Sequence, residues 1–89
     1  MLVLPVDLTR AHAGACLQML VQGLRAEPGS SVVVDASALG RFDSAALAVL
    51  LEVRRESLSS GKSLVIHAMP QRLRDLAAVY GIEELLPAA

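Results

Sequence analysis

Only two of the 89 residues are aromatic, Phe42 and Tyr80, and only one is cysteine, Cys16. Two aromatics cannot provide the stacking platforms that single-stranded nucleic acid requires. The dispersed arginines and a net charge of −1 provide no basic stripe either, so nucleic acid is not an expected partner. A lone cysteine cannot close an internal disulfide, and Cys16 sits among apolar neighbours as a small core residue would. The longest apolar run, Ala45 to Leu51, is far short of the roughly 20 residues that cross a bilayer, so no membrane insertion is expected. The opening residues Met1 to Pro5 lack a basic stretch followed by a long apolar segment and cleavage site. The expectation is therefore a cytoplasmic location.

Several chemistries also lack their residues. His12 and His67 are far apart in sequence, and no Cys/His/carboxylate cluster has the spacing of a metal ligand set. Gly40 stands alone, with neither a G-x-G-x-x-G loop nor a Walker-type G-x-x-x-x-G-K-S/T motif. No G-x-S-x-G elbow surrounds Ser44, and the carboxylates Asp35 and Asp43 read more simply as a strand-end residue and a helix cap. No cofactor is expected, and neither is catalysis.

What remains is a chain more than half apolar, whose core must be filled by Leu, Val and Ala. At this length it is expected to be one domain spanning residues 1–89. Leu2 to Val6 reads as an edge strand interrupted by Pro5, which has no N–H for a ladder. Thr9 is a candidate N-cap for a helix with Ala13, Cys16, Leu17, Leu20, Val21 and Leu24 at helical spacing, stopped at Glu27-Pro28-Gly29-Ser30. Val32-Val33-Val34, ending in Asp35, reads as a central strand buried on both faces. A loop over 36–42 leads to a helix from Asp43 to about Ser60, closed by Gly61-Lys62. Ser63 to His67 is a further strand. Pro70 then opens a helix presenting Leu73, Leu76, Ala77 and Tyr80 on one face, Gly81 stops it, and Ile82 to Leu86 forms a last helical turn. The β-α-β-α-β-α order predicts an α/β fold, a mixed or mostly parallel sheet with helices packed against it.

The helix opening at Asp43-Ser44-Ala45-Ala46-Leu47 is where a working surface concentrates. At about 100° per residue, Ala46, Leu47, Leu50 and Val53 share the core arc, with Val49, Leu51 and Leu58 at its margins and Arg54 snorkelling along it. The opposite arc carries Ser44, Ala45, Ala48, Glu52, Arg55 and Ser59. Small residues beside a hydroxyl at a helix N-terminus let another backbone come close. Asp43, Ser44, Ala45, Ala48, Glu52 and Arg55 are accordingly the candidate partner-binding residues.

The joint order of these segments resembles the STAS domain: the Val strand ending in Asp35-Ala36-Ser37, then Asp43-Ser44-Ala45-Ala46-Leu47, a long helix, a Gly-Lys turn, a strand, and Leu76-Ala77 followed by Tyr80-Gly81-Ile82. The Leu-rich helix and the ending Glu84-Leu85-Leu86-Pro87 look most like the STAS subunit (MlaB-like) of the Mla phospholipid-transport ABC system. That resemblance implies a non-catalytic cytoplasmic subunit, peripheral to the inner membrane, that binds the ATPase subunit of the transporter through the Ser44 face. A more distant resemblance is to the anti-sigma-factor antagonists, in which the Ser after this Asp is phosphorylated by a partner kinase. Ser44 matches that position, but Ala45-Ala46-Leu47-Ala48 departs from the Ser/Thr and Gly-Leu-Gly that usually follow, so the transporter reading leads. STAS domains usually begin with one more strand, pairing where Leu2 to Val6 lies. Its absence implies an exposed edge and a homodimer formed through it.

Overall fold

The computed structural model describes residues 1–88. Three parallel strands form the main sheet in the order β1 (Leu2–Val3), β3 (Ser31–Asp35), β5 (Ser63–His67). A second, two-stranded parallel ladder joins β2 (Asp7–Leu8) to β4 (Arg41–Phe42). Between the strands run α1 (Arg10–Ala26), α2 (Ser44–Ser59) and α3 (Gln71–Val79), followed by a 3-10 turn over Glu83–Leu85. This is the expected α/β arrangement, with a sheet that is parallel throughout the described residues.

Pro5 accounts for the split of the first apolar run into β1 and β2. Leu4 N–H still donates to the Asp35 carbonyl at 2.9 Å, but Pro5 has no donor, and Val6 turns its carbonyl to Gly40 and Arg41 instead. The expected loop over 36–42 therefore contains β4.

The Val run lies in the central strand, but not buried on both faces. Val32 and Val34 are fully buried with Leu64 and Ile66, whereas Val33 and its register partner Val65 are only half-buried. The alternation means that the helices cover one face of the sheet and leave the other partly open. A buried cluster runs through Leu4, Leu8, Leu24, Leu50, Ile66 and Leu73. Gly23 lets α1 settle onto β1, since a Cβ there would lie 2.7 Å from Leu2 Cδ2.

The helix faces follow the expected spacing at most positions. Ala46, Leu47, Val49, Leu50 and Val53 are buried in α2, and Leu51 and Arg54 are half-buried. Leu58 is 52% exposed, at the margin of the arc whose place in the last turn of α2 is taken by the fully buried Ser57. Leu73 and Ala77 bury in α3, but Tyr80 is 58% exposed, since it follows the last residue of the helix and the chain reverses at Gly81, φ 71°. Thr9 holds the N-cap position of α1, yet its side chain makes no capping bond.

Candidate functional site

The N-terminus of α2 is held by Asp43, whose Oδ1 accepts the Ala45 N–H at 2.8 Å. The other oxygen, Oδ2, accepts the Arg10 N–H at 3.1 Å. One carboxylate thus ties the first turns of α1 and α2 together, satisfying a free donor on each and meeting the positive ends of both helix dipoles. Asp35 is engaged elsewhere, accepting the Ser37 N–H at 2.9 Å. Bonds from the Ser37 backbone and hydroxyl, reinforced by His67 beside it, hold the Asp35 carboxyl below its ordinary value. The two aspartates therefore have separate structural tasks rather than forming an acid–base pair.

Around Asp43, the residues Arg10, Ser44, Ala45 and Ala48 line a shallow depression. Ser44 and Ala48 are exposed and Ala45 is half-buried, with Ser44 and Arg10 lining the same depression. Further along α2, Arg55 donates to Glu52 Oε1 through Nε at 3.0 Å and Nη2 at 2.6 Å. That contact raises the Arg55 guanidinium above its ordinary value and internally neutralises the charged end of the predicted face. Asp43, Ser44, Ala45 and Ala48 are therefore gathered at one spot, while Glu52 and Arg55 form a pair of their own on later turns. Arg10 joins the site although nothing local in the sequence marks it, because it arrives from 33 residues upstream.

Phe42, just before Asp43, is half-buried, with the Arg72 guanidinium 5.1 Å from its ring centroid. Cys16 is buried, and burial raises its thiol above the ordinary value, so it is no activated nucleophile. Among the described residues no three His, Cys, Asp or Glu side chains are grouped so as to hold a metal ion. No helix among them is long and apolar enough to cross a membrane. The site is chemically a surface: a hydroxyl, two small side chains, an arginine and a doubly engaged carboxylate.

No curated protein matches the sequence. The family model described as "Mlab, STAS domain" matches residues 1–87, nearly the whole chain. The MlaB-like family is generally non-catalytic and its members serve accessory or regulatory roles. By that match, and with the parallel α/β architecture compatible with it, the chain belongs to the MlaB-like STAS domain family.

Proposed function

We propose that this chain is a non-enzymatic accessory subunit that binds the ATPase subunit of a phospholipid-transport ABC transporter. It supports the assembly and activity of that transporter from the cytoplasmic side of the inner membrane, where its partner holds it. The observation that carries this reading is the α2 N-terminus: Ser44 and Ala48 are exposed and small, set on a helix start pinned to α1 through Asp43. A rigid helix end with short side chains admits a partner backbone closely and costs little side-chain entropy on docking. Ser44 offers the hydroxyl for a polar contact, with Ala45 and Ala48 as the apposed surface and the Glu52–Arg55 pair at its margin.

The test is co-purification of the chain with the transporter ATPase, followed by the same experiment with Ser44→Arg. Wild type is expected to co-elute and the variant to lose at least tenfold in affinity. Undiminished binding by the variant removes the interface from this helix. Failure of the wild type to bind any transporter ATPase removes the partner.

A second reading is favoured by the exposure of Ser44 in a depression that Arg10 also lines: an anti-sigma-factor antagonist switched by a kinase at Ser44. A phosphate there would sit at a helix N-terminus, which tolerates negative charge, and so would act on the partner rather than on the fold. Incubation with ATP and an anti-sigma kinase labels Ser44 on this reading and leaves the protein unmodified on the transporter reading.

A further inference from the structure

A standard protein interface buries about 800 Å² on each partner and takes in roughly 20–30 residues. Five residues line the depression around Ser44, so a partner seated there must also cover a flank of α2. Toward α1 the neighbouring groove is walled by Arg25 on one side and by Glu52 and Glu56 on the other. Toward α3 the groove is of a different character, lined by Phe42, Leu76 and Val79 together with Arg72 and Asp75. Phe42 stands two residues before Ser44, which makes the two surfaces continuous along the chain. The floor of this groove is fixed: Phe42 and Leu76 are half-buried against the core, and the Arg72 guanidinium lies 5.1 Å from the Phe42 ring centroid. Its rim is uncovered, with Val79 81% exposed and Tyr80, next to it, 58%. The two aromatic side chains of the protein are thus both outside the fully buried core, one in this groove and one beside its rim residue.

We infer that the Phe42–Val79 groove is the second part of the partner surface, and that it takes an apolar side chain flanked by a carboxylate on the partner. This rests on the reading that the transporter ATPase docks at Ser44, and it states which way the footprint runs from there. Aromatic and arginine side chains are enriched at interface centres, where carboxylates are depleted, and that favours the α3 side over the Glu52–Glu56 wall. The carboxylate on the partner follows from charge. Asp75 accepts from Gln71 Nε2 at 2.9 Å, whereas Arg72 makes no ion pair among the described residues. A cationic or wholly apolar segment would cover the guanidinium without giving it an acceptor, which is costly once water is excluded. A carboxylate pairs with Arg72 where Phe42 already holds it, so little side-chain freedom is lost on docking. The apolar side chain beside that carboxylate then covers Leu76 and Val79.

Titration of the transporter ATPase subunit into the full chain and into single variants tests this. Arg72→Glu and Val79→Gln are each expected to weaken binding at least about tenfold, as Ser44→Arg does. Both side chains are exposed, Glu is favoured in the first turn of α3, and Gln is a better helix former than Val, so the fold is expected to survive both changes. Arg25→Glu makes the same change of net charge on the α1 flank and is expected to leave affinity unchanged. Full binding by Arg72→Glu and Val79→Gln, with Ser44→Arg still impaired, overturns this inference and leaves the Ser44 reading intact. An equal loss in Arg25→Glu also overturns it, because the attraction is then long-range rather than local. If the wild-type chain binds no transporter ATPase, the Ser44 reading fails and this inference with it. Self-association of the chain alone that Val79→Gln abolishes assigns the groove to a second copy and overturns the inference as well.

Discussion

Asp43 and Arg10 lie 33 residues apart and are joined by a hydrogen bond from the Arg10 N–H to Asp43 Oδ2 at 3.1 Å, while the same carboxylate caps its own helix at Ala45. The consequence is mechanical: the surface around Ser44 is held by two helices at once. Replacing Asp43 with Ala removes an acceptor from each helix start and is expected to cost about 1.5–3 kcal/mol, roughly twice an ordinary cap. Asp43→Asn keeps one acceptor oxygen and is expected to lose about half as much. Thr9→Ala, at the nominal cap of α1, is expected to cost under about 0.5 kcal/mol, because its side chain makes no capping bond. Urea midpoints of the three variants check the ranking. A Thr9→Ala loss as large as that of Asp43→Ala would show that the shared cap is not what secures α1.

The other end of α1 is secured from the far end of α2. Lys62 Nζ donates to the Leu24 carbonyl at 3.0 Å and also to the Glu27 carbonyl, satisfying two C-terminal acceptors with a positive charge. Lys62 is itself positioned by Ser57, whose fully buried hydroxyl donates to the Lys62 carbonyl at 3.0 Å. Lys62→Met keeps the length of the stem and removes the donors, so a loss of about 1–2 kcal/mol is expected. Ser57→Ala is expected to cost about 1 kcal/mol, and because the two residues share a network the double variant should lose less than the sum of the singles. Equilibrium unfolding of the four-protein cycle measures the coupling, and strict additivity would separate the two contacts.

The pair Asp35 and Ser37 makes stability depend on acid. The folded carboxyl titrates below its ordinary 3.8, so its contribution is fully present above about that pH. It is lost as the pH falls further, through the lower folded value. Asp35→Asn can keep the turn but not the titration, so the stability gap between wild type and variant should shrink between about pH 4 and pH 2. Denaturant midpoints across that range decide it; a gap that is constant with pH excludes Asp35 as the titrating group.

Much of this architecture is legible in the sequence where the signal is local. The period of Cys16, Leu20 and Leu24 marks the buried stripe of α1, Gly81 marks the end of α3, and Asp43 marks the start of α2. The errors arise where a local signal was overruled from a distance. Val33 belongs to an unbroken apolar run, but a sheet covered on one face exposes alternate residues whatever their type. Leu58 lies at the margin of the apolar arc and is exposed, while its neighbour Ser57, which no apolar signal marks, is the residue buried in that turn. β4 escapes notice since two residues, Arg41 and Phe42, carry no period at all. Asp43 is readable as a cap for α2, but its second oxygen, the presence of Arg10 in the depression and the reach of Lys62 to Leu24 follow only from the packing of α1 against α2.

The placement of the docking face is tested by two substitutions on the one helix. Ala48 is exposed one turn beyond Ser44, and Leu58 is exposed near the other end, fourteen residues from Ser44 and hence about 20 Å along the axis. Arginine is a good helix former and neither side chain is packed, so Ala48→Arg and Leu58→Arg should each change stability by no more than about 0.5 kcal/mol. Their effects on partner binding should then diverge. A long charged side chain at Ala48 holds the partner backbone off the surface and is expected to reduce affinity at least tenfold, about 1.4 kcal/mol, whereas Leu58→Arg should leave it unchanged. Isothermal titration with the ATPase subunit reads both. Equal losses in the two variants would spread the interface along the whole helix. A loss confined to Leu58→Arg would move it away from Ser44 altogether, and with it the reason for reading the shared cap at Asp43 as support for a docking site.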